Sequence, residues 1–184
     1  MLLGIGFILI ACAQPPIEEM NRAIQALDRA ENDVGALVYA PNYLSRAREA
    51  LEKMQEEADS KRFDSAKRYA AEVIANADRA ISEGSIAAAR ARNEAYLLLN
   101  GLSDPMAETL AHLDTAKQVQ DIPLDFFPLE EMMEIAQVDF ESAQQSYSNG
   151  DYPDALDRGE TVRSIISDVN VQISQAALAT SLKN

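Results

Sequence analysis

The chain has 184 residues with one cysteine, one histidine and no tryptophan. A lone cysteine excludes an internal disulfide, so a folded body has to be held by packing. A lone histidine, His112, excludes a histidine-rich metal site. It stands among Leu110, Leu113 and Lys117 and reads as a surface or boundary residue. No glycine-rich phosphate loop is present. Glycine and proline number 7 each, and aromatics make up 6% against a hydrophobic share of 47%. The apolar content is therefore aliphatic, with much alanine, which is a helical composition. Basic residues are scarce as well: 16 Lys and Arg face 30 Asp and Glu, a net charge of −14. Such a chain is a poor nucleic-acid binder, since that affinity comes from neutralising phosphates. Anionic lipid headgroups repel it too.

What is present begins with residues 1–13, which contain neither charge nor proline. A span of the hydrocarbon core needs roughly 20 apolar residues, so this run is too short. Gln14-Pro15-Pro16 ends it. An apolar core with a small-residue exit fits a secretory signal, although the usual positive stretch before it is missing. The run closes on Leu9-Ile10-Ala11-Cys12, which resembles a bacterial lipobox. That resemblance implies removal of residues 1–11 and a lipidated Cys12 as the mature N-terminus, with residues 12–16 as a tether. It also implies a firm hold on a membrane, since each buried lipid CH₂ contributes about 0.8 kcal/mol. Ala13 is not acidic, which in lipoproteins of Gram-negative type goes with the outer membrane. The expected location is the periplasm or cell surface, lipid-anchored, with the outer membrane favoured.

After Pro16 the periodicity is helical. Met20, Ala23, Ile24, Leu27 and Ala30 form one face, behind Glu18 and Glu19 in a first turn that favours acids. The pattern fades near Asn32-Asp33-Val34-Gly35. Pro41 opens a second helix with Leu44, Ala47, Leu51, Met54 and Ala58 inward. A joint at Asp59-Ser60-Lys61 leads to a third, where Phe63, Ala66, Ala70, Val73, Ala77, Ala80, Gly84, Ala87 and Ala91 alternate steps of three and four. That seam of small side chains lets helices approach closely, and its register favours continuity through Gly84. Asn100-Gly101 reads as its end and Asp104-Pro105 as the start of a fourth helix with Met106, Leu110, Leu113 and Ala116. Pro123 interrupts. Pro128 starts a fifth, with Met133, Ala136, Phe140, Ala143 and Tyr147 on one face. After Asn149-Gly150 a last helix runs from about Tyr152 to Leu182, with Ala155, Val162, Ile166, Val169 and Ile173 inward.

The second half echoes the first. A shift of 86 maps Leu27-Asp28-x-Ala30 onto Leu113-Asp114-x-Ala116. A shift of 89 maps Leu44, Ala47, Leu51, Met54, Ala58, Phe63 and Ala66 onto Met133, Ala136, Phe140, Ala143, Tyr147, Tyr152 and Ala155. The difference falls in a connection, where insertions cost little. The fold expected is all-α: an elongated bundle of about six helices, two copies of a three-helix unit, at 17–102 and 103–184. The segment from Tyr147 through Gly150 and Tyr152 to Ala155 resembles the inter-helix turn of tetratricopeptide repeats, and copy one keeps Phe63-x-x-Ala66 with Lys61 in the glycine's place. The unit is longer than that family's 34-residue repeat. Together with Ala40-Pro41-x-x-Leu44-x-x-Ala47, the pattern resembles an alanine-rich domain of unknown function found in bacterial lipoproteins.

Reactive chemistry is hard to find. Glu56-Glu57-x-Asp59 and Glu130-Glu131-x-x-Glu134 lie along helices and diverge, whereas calcium wants 6–8 converging oxygens. The expectation is a non-enzyme with no cofactor and no metal. Two joints are unusually apolar, Leu37-Val38-Tyr39-Ala40-Pro41 and Leu124-Asp125-Phe126-Phe127-Pro128. Each either docks a partner or tucks back onto its own bundle. Tyr39, Tyr43, Phe126 and Phe127 are the candidate partner-binding residues. The function expected is a lipid-anchored envelope scaffold that binds other proteins. The alternative is a lipoprotein that holds a lipid or transported solute between its helical halves. An alanine seam can also pair with its own copy.

Overall fold

The computed structural model describes residues 14–182, and within them every regular element is an α-helix. Cys12 and the apolar run before it lie outside the described residues. The helices are α1 (Ile17–Glu31), α2 (Val34–Tyr39), α3 (Pro41–Asp59), α4 (Phe63–Lys117), α5 (Phe126–Ser148) and α6 (Tyr152–Ser181). The all-α expectation and the helix number agree with this, but two element boundaries do not.

The first difference is α4. Its 55 residues run unbroken through Gly84, as the register predicts, and also through Gly101 and Pro105, where a stop was expected. The reason is packing. The seam continues past Ala91 as Ala95, Leu99, Leu102, Met106, Thr109, Leu113 and Ala116, in steps of three and four, all buried except half-buried Met106. An interior proline costs about 3 kcal/mol. Burying a single leucine returns about 1.5–3 kcal/mol, and Leu99, Leu102 and Leu113 are all buried here. Pro105 leaves the Gly101 carbonyl without its helical donor, but Gly101 is exposed and open to water. The two compact units meet inside α4, between Ala87 and Ala88.

The second difference is α2. The apolar joint at Leu37-Val38-Tyr39 is helical, because the Asp33 carboxylate accepts the Ala36 N–H at 2.7 Å and caps a short helix. In the first unit Ala23, Ala26, Leu27 and Ala30 of α1 pack with Leu44, Ala47, Ala50 and Met54 of α3 and Ala70, Val73, Ala77 and Ala80 of α4. Ile24 was expected inward and is 45% exposed; Ala26 takes its place, since alanine lets the neighbouring helices close in. Backbones touch where α2 meets α4. A Cβ on Gly84 would lie 2.5 Å from the Gly35 carbonyl carbon, so only glycine fits.

In the second unit α5 lies against α6 over two apolar clusters. One joins Leu99 and Leu102 to Ala136, Phe140, Val162 and Ile166, and the other joins Leu113 to Leu129, Met133 and Val169. Asn170 of α6 donates to the buried Thr109 hydroxyl at 2.6 Å, and that hydroxyl donates to the Pro105 carbonyl at 2.8 Å. Arg158 holds Asp139 of α5 at 3.2 Å and Asp154 at 2.8 Å.

The two helix-to-helix turns repeat bond for bond at the shift of 89. In copy one the Arg62 N–H donates to the Glu57 carbonyl at 2.8 Å and the Lys61 N–H to Ala58 at 2.9 Å. In copy two Asp151 donates to Ser146 at 2.9 Å and Gly150 to Tyr147 at 3.1 Å. Both turns close a helix through a left-handed residue, Lys61 at φ 59° and Gly150 at φ 83°. Lysine adopts here the conformation that glycine adopts in the other copy.

Candidate functional site

The four aromatic candidates divide between the units. Tyr39 and Tyr43 belong to the first. Tyr39 is half-buried at the end of α2. Tyr43 is half-buried against the first core, with the Arg46 and Arg79 guanidinium groups 5.6 and 6.0 Å from its ring centroid. Its ring is engaged within its own unit. Phe126 and Phe127 belong to the second, and they are not in a loop. Asp125 accepts the Phe127 N–H at 3.2 Å, so α5 starts two residues before Pro128, the expected start, and both phenylalanines occupy its first turn. Phe126 packs against the cluster around Leu113, Leu129 and Met133. Phe127 is 75% exposed.

Neighbours of these residues are exposed as well. On α2, Val34, Leu37 and Val38 face outward while Ala36 is fully buried. On α5, Ile135 is 49% and Val138 60% exposed. At 100° per residue, Phe127, Ile135 and Val138 fall on one stripe, opposite the buried Leu129, Met133, Ala136 and Phe140. Glu131, Glu134 and Glu141 are exposed and lie along the same stripe. A shallow open groove of about 320 Å³ runs beside Glu131, Glu134, Ile135 and Val138. Sequence reasoning missed Ile135 and Val138 because the stronger inward pattern of the same helix was assigned first. The signal was there, as apolar residues at i, i+8 and i+11 from Phe127.

Charged groups elsewhere act as local fasteners. Lys117 lies 2.6 Å from Glu130 and 3.2 Å from Asp114. Hydrogen bonds to those two carboxylates, Glu130 first, hold its ammonium charged above the usual lysine range. The Asp154 carboxyl is pulled below the ordinary aspartate range, first by the Ser146 hydroxyl at 2.5 Å and then by Arg158. His112 is exposed and pairs through Nδ1 with the Asn170 Oδ1 at 3.1 Å. Among the described residues no three His, Cys, Asp or Glu side chains converge as metal ligands. None of the described helices is long and apolar enough to cross a membrane. A second open groove, about 320 Å³, has Val119, Ile122, Ile173 and Ala177 for walls and His112 and Thr115 beside them.

Residues 18–96 match a domain of unknown function, DUF4398. The match covers α1, α2, α3 and the part of α4 up to Tyr96, which is less than half of the chain. No curated protein and no solved structure matches the chain.

Proposed function

We propose that this protein is a lipid-anchored scaffold of the bacterial cell envelope, tethered through Cys12, whose helical hairpins present docking faces to other proteins. The observation that carries the docking half is the outward placement of large apolar side chains on rigid helices: Val34, Leu37 and Val38 on α2, and Phe127, Ile135 and Val138 on α5. Exposed apolar side chains gathered on one helix face, rather than scattered singly, suit a partner surface. The tether half rests on Leu9-Ile10-Ala11-Cys12 and the apolar run before it. The hairpin turns at Lys61 and Gly150, like those of tetratricopeptide repeats, suit a scaffold, since paired helices offer extended faces.

The test has two arms. Intact-mass spectrometry of protein taken from bacterial membranes should find acyl chains on Cys12, and Cys12→Ser should release the body into the soluble fraction. Photo-crosslinkers at Leu37 and Phe127 should then capture defined proteins in the membrane, while crosslinkers at Arg22 and Arg163 should not. An unmodified Cys12 or identical capture at all four positions refutes the respective half.

A second reading follows from the groove beside His112, whose apolar walls suit a lipid chain or an apolar solute. Native mass spectrometry of the purified protein would then show a bound small molecule, lost on Ile173→Glu.

A further inference from the structure

We infer that the outward face of α5 docks a cationic amphipathic helix of a partner protein, an inference that rests on the protein-binding half of the function proposed above. The internal duplication supplies the control. At the shift of 89, the positions of Glu131, Glu134, Ile135 and Val138 correspond to Asn42, Ser45, Arg46 and Glu49 of α3. The copies keep apolar residues inward, and α3 does so with a wholly polar outer face at these positions. The apolar pair on α5 therefore answers to something other than the fold.

The charge of the face selects the occupant. Helix α5 contains five acids and no Lys or Arg. Glu130 is paired with Lys117 and Asp139 with Arg158. Among the described residues no Lys or Arg pairs with Glu131, Glu134 or Glu141, the three along the apolar stripe. Glu131 and Glu134 stand three residues apart, a spacing at which like charges weaken a helix, and no ion pair among the described residues offsets it. A second copy of the chain is a poor occupant, because two such faces would set acids against acids. An anionic membrane is repelled for the same reason. A helix with Lys or Arg flanking an apolar ridge satisfies both features. Its apolar residues cover Phe127, Ile135 and Val138, and its cations reach the three glutamates. The stripe from Phe127 to Val138 spans about 17 Å, which a partner helix of about three turns matches.

The probe is a synthetic amphipathic helix of leucine and lysine, about 14 residues long so as to cover the stripe, titrated into the full chain by calorimetry at low and high salt. A leucine–glutamate peptide of the same pattern is the control. The leucine–lysine peptide should bind and the control should not. The double variant Ile135→Ser, Val138→Ser should weaken binding about tenfold or more, a loss of about 1.4 kcal/mol. The triple variant Glu131→Gln, Glu134→Gln, Glu141→Gln should weaken binding and flatten its salt dependence. Removing the same charge from α3, with Glu49→Gln, Glu52→Gln, Glu56→Gln, should leave the affinity within about twofold of wild type, since these acids are not part of the α5 face. Circular dichroism confirms that each variant keeps its helix content. Absence of binding, equal loss from both charge triples, or a homodimer that dissolves on Ile135→Ser, Val138→Ser each overturns the inference. The broader reading fails separately: it falls if the membrane crosslinks capture no protein, and it stands if they do while α5 variants leave capture unchanged.

Discussion

Replacing Gly84 with alanine tests the close backbone contact between α2 and α4. In a helix interior this exchange normally stabilises, by about 0.8–1.0 kcal/mol. Here the new methyl would stand 2.5 Å from the Gly35 carbonyl carbon and 2.6 Å from both the Ala36 nitrogen and the Gly35 oxygen. Carbon contacts are comfortable at roughly 3.5–4.0 Å, so α2 has to retreat by about 1 Å. All three atoms are backbone, so no side chain can swing aside to absorb the strain. Retreat would open the fully buried Ala36 to water. Overpacking of this kind costs about 1–3 kcal/mol, enough to cancel or reverse the propensity gain. Gly101→Ala is the matched reference on the same helix, because a Cβ there meets nothing within 4 Å, and it should show the ordinary gain. The two variants should differ by about 1–3 kcal/mol in urea unfolding followed by circular dichroism, with the m-value unchanged. Hydrogen exchange should quicken at the Ala36 and Ala40 amides in Gly84→Ala alone. The argument fails if Gly84→Ala matches or exceeds Gly101→Ala in stability and leaves those amides protected.

Four further outcomes are expected. Lys61→Gly relieves a left-handed lysine, which costs about 1–2 kcal/mol, and gives back part of that in chain entropy, so the urea midpoint should rise by up to about 1 kcal/mol in stability. Gly150→Ala should lower it by about 1 kcal/mol although it meets no atom within 4 Å. Pro105→Ala restores a donor to the Gly101 carbonyl and should stabilise the second unit by about 2–3 kcal/mol in the same assay, whereas a helix that truly ended near Gly101 would be indifferent. The folded-state pKa of Asp154 lies below its unfolded value, so its contribution is present above the unfolded pKa and is lost as pH falls through the folded one. Asp154→Asn should flatten the acid side of the stability–pH curve and leave the slope near neutrality alone; an unchanged acid limb would contradict the Ser146 and Arg158 contacts.

The helical seams were legible because a 3.6-residue period imprints every inward position. The apolar faces of α3, α5 and α6 were assigned correctly from the spacing of alanine and larger apolar residues, and Ala66 through Ala91 kept one register through Gly84. Misreadings came where a local signal competed with that period. Asn100-Gly101 and Asp104-Pro105 are ordinary stop and start dipeptides, but their penalty is smaller than the burial of Leu99, Leu102 and Leu113 on either side. Tracing the seam past Ala91 without deferring to glycine and proline would have extended α4 correctly. Helix α2 is too short to show a period at all, and only the Asp33 cap betrays it. Of the candidate site, Phe127 was legible as an aromatic in an apolar segment. Its companions Ile135 and Val138 were not, because an outward stripe is invisible beside the inward stripe of the same helix until the partner side is known.

Duplication turns that last difficulty into an advantage. Two copies of one unit answer to the same packing demands, so positions that match across the shift, such as Ala47 with Ala136 or Ala66 with Ala155, are the ones the fold requires. Both members of each pair are fully buried. Core positions such as Leu44 and Met133 differ but stay apolar and buried, whereas exposed positions that differ in polarity are free of that demand and respond to what lies outside. Exposed sites normally drift toward polar residues, because a half-exposed aliphatic gains little from burial and raises the risk of unwanted association. Drift therefore accounts for Arg46 and Glu49 on α3 but not for Ile135 and Val138 on α5. It also fails to account for Glu131 and Glu134 beside them, without ion-pair partners among the described residues, which repel one another within the helix and discourage pairing with another copy. Apolar surface without acids would point to self-assembly or to lipid, and acids without apolar surface would be a solvated face. The two together on one stripe, absent from the sister helix, point to a basic and apolar partner.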